Sequence, residues 1–481
     1  MLFNSYLFLF FFLPLVLFLF YNFKHSFVTS RIILIISGLI FYSHWNINFL
    51  PIIICSVLLN FFFGHILLQV KKKKYLIIFI FINILILGIF KYTDFIILNI
   101  NVLFNQNIKL WNIQFPLAIS FFTFQQITYL VDCFNNIIKK KKFLDYCLFV
   151  IFFPQLIAGP IVKFNYLVKQ FNFGKNFFLD HFPLGFFILS IGLFKKLFLA
   201  DNFAHVVNSG YLNSANLDFL QGWFVSFCFM FQFYFDFSGY IDIATGVALM
   251  FGVVLPQNFN SPYKATNLID FWQRWHITLT SFLTNYIYLP IAKSFSNLTF
   301  LKSSILIIFV FFISGLWHGP SWLFIVFGLM HGFGIILNQI VSKYQIINFN
   351  KKISWALTFT YVNLSLVFFR SESFEQASNI FKSMLFFNGV SLPSYFSGYV
   401  NLGEKISYEG LFNYLYISKI SKFYFVILMI FSFLIIFRKE NSYDFLKSFK
   451  CNYRYLLFSI TIFLLSINRI DSGIEFIYFK F

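Results

Sequence analysis

Of the 481 residues, 59% are hydrophobic, 24% aromatic and only 11% charged, with a mean hydropathy of +0.78, far from the roughly 25% charged content of soluble domains. This composition excludes a water-soluble enzyme and specifies an all-α polytopic membrane protein: apolar runs repeatedly reach the ~20 residues that a helix needs to cross about 30 Å of hydrocarbon, whereas outer-membrane strands would alternate over ~10 residues. The net charge of +19 does not point to nucleic acid, because the basic residues form short clusters between apolar spans, where they set topology.

The segment Met1–Tyr21 has no basic leader and no small-residue cleavage site, so it reads as a retained first span. Further apolar segments lie near 31–43, 49–69, 75–100, 115–135, 144–162, 182–200, 218–235, 239–254, 302–317, 320–341, 353–369, 423–437 and 454–468. Some are short or broken by Pro and Gly. The expectation is about eleven membrane passages plus one or two re-entrant segments, in a single domain without internal repeats. The lysine runs 71–74 and 139–142 flank two of these spans, and the positive-inside rule places both runs in the cytoplasm.

Two stretches interrupt the apolar pattern early. In Pro116–Asp132, Ser120, Thr123, Gln125, Gln126, Thr128 and Asp132 enter a helix, where polar groups either join helices by hydrogen bonds or line a cavity. In Phe153–Lys163, Pro154, Gly159 and Pro160 make a continuous helix unfavourable.

The segment Phe231–Gly246 carries Asp236 and Asp242 in an apolar context, where a central Asp costs ~2.5–3.5 kcal/mol on insertion scales. Either these carboxylates cap helix ends broken at Gly239 or pair with a cation, or they take part directly in chemistry. Their six-residue spacing puts them on different faces of an unbroken helix, which argues against a paired acid/base device. After a turn-rich linker, Asn267 is placed to cap a helix starting near Leu268. On that helix Asp270 and Arg274 are spaced to neutralise each other, and Trp272 and His276 share the same interval.

In Phe312–Trp322, His318 stands between Trp317 and Trp322 with Gly315, Gly319 and Pro320 nearby. An ionisable group at membrane depth is a functional-site hypothesis by default, and a neutral imidazole can accept a proton from a hydroxyl nucleophile. The two flanking residues Gly319 and Pro320 are read as letting a substrate approach it. His331 shares the glycine-flanked setting without an assigned role. A metal site is not expected, since no H-E-x-x-H or i, i+4 His pair occurs. The five scattered cysteines show no C-x-x-C spacing and read as packing residues. The longest polar interruption, about 371–422, is too short for a soluble catalytic domain.

Six ordered blocks, Pro116–Asp132, Phe153–Pro160, Phe235–Gly246, Gln257–Tyr263, Phe271–Thr280 and Gly315–Trp322, resemble the bacterial branch of the membrane-bound O-acyltransferases, the MBOAT family, and within it the alginate and peptidoglycan O-acetyltransferase membrane subunits. The resemblance implies about eleven helices and re-entrant segments around a central tunnel in the bacterial cytoplasmic membrane. It puts the family's invariant histidine on His318 and its second histidine on His276, with Trp317, Trp272, Arg274, Asp236, Asp270, Gln126 and Ser120 supporting them or lining the tunnel. It further implies acetyl-CoA as acyl donor with no tightly bound cofactor, contact with lipid, and a separate extracytoplasmic SGNH-type acetyltransferase as partner. The terminal Phe476–Phe481 is similar to an F-x-Y-F-x-F tail found in these proteins, with Lys480 where Gln is usual. On that similarity Tyr478 is an acyl relay, and on composition alone it is an interfacial aromatic anchor. Two other functions fit the composition without the resemblance: a transporter or flippase with a His/Asp proton relay, and a noncatalytic scaffold for polysaccharide assembly.

Overall fold

The structure is a computed structural model that describes residues 1–139, 142–171, 177–345, 349–391, 406–407, 419–470 and 474–477. Among them six helices are long and apolar enough to cross a membrane: Ile47–Gln69, Lys73–Phe104, His181–Leu212, Phe300–His318, Trp322–Tyr344 and Lys351–Arg370. Shorter apolar helices cover Leu7–Phe23, Phe27–Ser43, Tyr424–Phe437 and Tyr453–Ile467. Five of the helices carry the functional argument and are labelled in chain order: α1 (Lys73–Phe104), α2 (Ile119–Phe134), α3 (His181–Leu212), α4 (Phe219–Met250) and α5 (Phe300–His318). The described strand content is a two-residue parallel pairing of Val390–Ser391 with Ile406–Ser407 in the polar interruption. The chain is a helical, multi-pass membrane protein.

The segments near 218–235 and 239–254 form one helix, α4, and Gly239 does not break it. The helix starts at a capping box in which Asp218 accepts the Gln221 amide and the Gln221 side chain accepts the Asp218 N–H. Nearly all of its side chains are buried, so the mixture of Phe, Ser, Gln and Asp that lowers its hydropathy reflects a position inside the bundle. Gly239 serves interhelical approach instead. Glycines recur seven residues apart on both helices of the seam, Gly185 and Gly192 on α3, Gly239 and Gly246 on α4, which puts each pair on one face. A Cβ on Gly192 would lie 2.5 Å from the Ile243 nitrogen, and one on Gly246 would lie 2.5 Å from the Leu189 nitrogen. The close backbone contact is the small-residue packing that membrane helices use in place of a hydrophobic drive. Gly246→Val is expected to force the seam apart and cost about 1–3 kcal/mol, as overpacking does; a lowered melting temperature of the purified protein in detergent is the measurement.

The polar stretch of α2 divides between the two roles open to it. Gln126 accepts from Ser56 at 2.9 Å and from Asn60, and Asn60 and Asn83 exchange bonds at 2.8 and 3.0 Å, a buried network that ties three helices together. Ser120, at the other end, faces a cavity described below. The Phe153–Lys163 stretch breaks as its prolines and glycine predict, into a single turn at Phe153–Leu156 and an extended run to Lys163.

Candidate active site

His318 is the last residue of α5, and Gly319 closes that helix. Ser321 caps the next helix, accepting from the Leu323 amide at 3.2 Å. A Cβ on Gly319 would meet the Phe324 ring at 2.5 Å. The glycine therefore makes room for Phe324, correcting the reading that it clears a path for substrate. His318 is buried within a ring of aromatics: centroids lie at 5.0 Å from Trp317, 5.1 Å from Phe369 and 5.7 Å from Phe327.

His276 comes from a break between two short helices, which corrects the expectation that it shares a helical face with Trp272. The helix capped by Asn267 runs Leu268–Arg274, with Asp270 and Arg274 paired at 2.7 Å as their spacing predicts. Trp275 is then extended, and His276 adopts φ 44° before a new helix starts at Ile277. A left-handed backbone at a bulky residue is uncommon and recurs at functional sites. The turn aims the imidazole at Asn258, whose Oδ1 lies 3.1 Å from His276 Nδ1 and also accepts the Thr278 amide at 3.1 Å. Because an amide N–H only donates, that Asn258 atom is an oxygen. Neutral His276 thus carries its proton on Nδ1 and presents Nε2 as an acceptor.

One indole connects the histidines. The Trp317 ring lies 5.7 Å from His276 and 5.0 Å from His318. His331 belongs elsewhere: Trp272 Nε1 donates to its Nδ1 at 3.2 Å, and its Nε2 meets Ser365 Oγ at 2.9 Å. Both ring nitrogens of His331 are thus engaged between helices, which accounts for this histidine as a packing residue and for Trp272 as its partner.

Asp236 and Asp242 pair with cations, the structural alternative left open by the sequence. Lys195 Nζ is 2.6 Å from Asp242, and Lys196 Nζ is 2.6 Å from Asp236 and 2.8 Å from Asp201. Asp236 also accepts the Ile477 amide at 2.8 Å, and Phe476 is buried and stacked on Tyr240 at 4.4 Å. Phe237, 6.0 Å from Phe476, is in turn 4.9 Å from His276. The chain before Tyr478 is therefore seated in the bundle one aromatic layer from His276. Tyr478 itself lies outside the described residues.

His318 lines one cavity, and a second lies beyond its aromatic neighbours. A narrow one of about 30 Å³ is lined by Lys91, Ser120, Ala158, Trp317 and His318, enough for a water molecule or two. A larger one of about 590 Å³ is lined by Gln232, Ser321, Phe324, Phe369, Arg370 and Ile477. Phe324 and Phe369 both face the His318 ring, so aromatic side chains form the partition between the histidine and the larger space. Sequence reasoning missed Lys91, Lys195, Lys196 and Asn258. For Lys91 the signal was present, a cation in the middle of the apolar run 75–100.

Residues 39–372 match the MBOAT, membrane-bound O-acyltransferase family. The chain belongs to this family. It is thus an acyltransferase, and the match spans both histidines and the buried ion pairs. The chain is 41% identical over 432 residues to the peptidoglycan O-acetyltransferase of Helicobacter pylori, covering 82% of this chain and 81% of that one. It is 31% identical over 407 residues to a protein of Azotobacter vinelandii named "Probable alginate O-acetylase AlgI", covering 82% and 79%. A more distant relative is the teichoic acid D-alanyltransferase of Bacillus subtilis, 28% identical over 253 residues, or 50% of this chain and 61% of the relative.

Proposed function

We propose that this acyltransferase moves an acetyl group from acetyl-CoA across the bacterial cytoplasmic membrane for O-acetylation of an extracytoplasmic polysaccharide, peptidoglycan in the first instance. The observation that carries the reading is the pair of buried histidines against one indole, inside the family-matching region, with His318 lining a narrow cavity. The extent of similarity to a peptidoglycan O-acetyltransferase supports the acceptor over alginate.

In the proposed step a hydroxyl oxygen attacks the thioester carbonyl carbon while His318 takes its proton. The tetrahedral intermediate collapses with loss of the C–S bond, and the proton passes to the departing thiolate, leaving CoA thiol and an O-acetyl ester. The single hydroxyl proton goes to His318, so His276 acts through Trp317, whose indole it packs against and which in turn abuts the His318 ring. With Lys71–74 on the cytoplasmic side, α1 runs outward. Arg370 and the larger cavity then face the exterior, together with the segment that leads to Tyr478. That placement supports Tyr478 as the first acceptor and a separate SGNH-type protein as the final transferase.

Incubating purified membranes with acetyl-CoA labelled in its acetyl group tests this reading, followed by mass analysis of the C-terminal peptide and of the glycan. Acetate is expected on Tyr478 and then on peptidoglycan, and Tyr478→Phe should abolish both while acetyl-CoA binding persists. Label on another residue would move the relay, and no label transfer from acetyl-CoA would reject the donor.

A further inference from the structure

Lys91 lies near the middle of α1 and is buried, yet among the described residues no carboxylate lies within ion-pair distance of it. Every other lysine buried to this degree among the described residues is paired with an aspartate. Burying an unpaired ammonium costs several kcal/mol, and intramembrane cations mark functional sites. Lys91 Nζ donates to the carbonyl oxygen of Trp317 at 2.5 Å and lies 3.4 Å from Ser120 Oγ. Its neighbour Tyr92 donates to the Leu316 carbonyl at 2.6 Å. Both groups therefore cap the last turn of α5, but only Lys91 lines the narrow cavity that His318 also lines.

We infer that Lys91 is a catalytic residue that stabilises the oxyanion formed when the acyl carbonyl is attacked, an inference that rests on the acyl-transfer reading above. An ammonium has three donors. Two are spent on Trp317 and Ser120, and the third is left for an anion in the cavity. The intermediate needs such a donor, since its carbonyl oxygen gains a full negative charge before the C–S bond breaks. Neutral His276, with its proton committed to Asn258, offers an acceptor at Nε2 and cannot fill the role. The carbonyl oxygen receives no proton from Lys91. Its charge returns to the C=O bond as the thiolate leaves.

The test compares Lys91→Gln, Lys91→Arg and Tyr92→Phe in lipid nanodiscs, reading CoA thiol release from acetyl-CoA. Gln keeps a neutral donor toward Trp317 and loses the charge; its kcat should fall about 100-fold or more, the usual loss for one oxyanion donor, with KM for acetyl-CoA unchanged. Lys91→Arg should recover part of that loss. Tyr92→Phe removes a cap of the same kind without a charge and should stay within a few-fold of the parent. Wild-type kcat in Lys91→Gln overturns the proposal, as does an equal fall in Tyr92→Phe. If Lys91→Gln fails to fold, Lys91→Arg decides: partial activity supports the proposal, and a folded but inactive Lys91→Arg overturns it. His318→Ala run in parallel separates the two readings: if it still releases CoA, the acyl-transfer mechanism itself fails.

Discussion

Replacing His318 with Ala is expected to lower acetyl transfer by at least 1,000-fold while the protein still accumulates in the membrane at its normal level. General-base assistance alone is worth about 10²–10⁴-fold, and the substitution also opens a cavity in the layer formed by Trp317, Phe327 and Phe369. Its effect on folding should be modest, because α5 is fixed by other groups: Tyr92 and Lys91 on its terminal carbonyls, and close backbone contact between Gly315 and Phe324. Transfer of labelled acetate, normalised to protein abundance by immunoblot, is the measurement. Activity above a tenth of the parent would remove His318 from the chemistry. His331→Ala provides the contrast, since its partners Trp272 and Ser365 serve packing, and it should lower stability with far less effect on transfer per folded molecule.

The second large effect concerns stability. Lys196→Met should cost about 3–5 kcal/mol, the usual consequence of removing one partner from a buried ion pair, because it leaves Asp201 and Asp236 facing each other across a site where both are almost wholly buried. The double variant Lys196→Met with Asp236→Asn should recover much of that loss by removing one of the stranded charges. Asp236 also accepts the Ile477 amide, a bond that the Asn amide oxygen can still accept, so the double variant should regain acetate transfer along with stability. Thermal unfolding in detergent reads the first result and acetate transfer the second. Unchanged melting in the single variant would mean that the triad is not a stabilising unit.

Much of the architecture follows from local rules. Hydropathy marks the spans. Asn267, Asp270 and Arg274 announce their short helix by capping and i, i+4 spacing. The proline and glycine breaks at 154–160 fall where the side chains require. The misreadings have a common cause. Gly239 is read as a helix break and Gly319 as an opening for substrate, and in the fold each removes a Cβ where a neighbouring backbone or ring sits. At Gly239 the neighbour comes from more than 40 residues earlier, and at Gly319 it is Phe324, brought back by the turn between two helices, so neither close approach shows in the local sequence. The same reason hid the partners of Asp236 and Asp242, since Lys195 and Lys196 lie about 40 residues earlier. Lys91 was legible by the rule that singled out His318, and a reading that weighed every charge within a span would have marked it.

Trp317 fixes more than the spacing of two rings. Its indole separates the imidazoles, while its backbone oxygen holds the Lys91 ammonium. The cation is thus referenced to the peptide unit adjoining His318, so a small slide of α1 along α5 is resisted at the point where it would matter. On the proposed roles, a displacement of either helix then draws the base and the cation the same way, because one peptide unit ties them together.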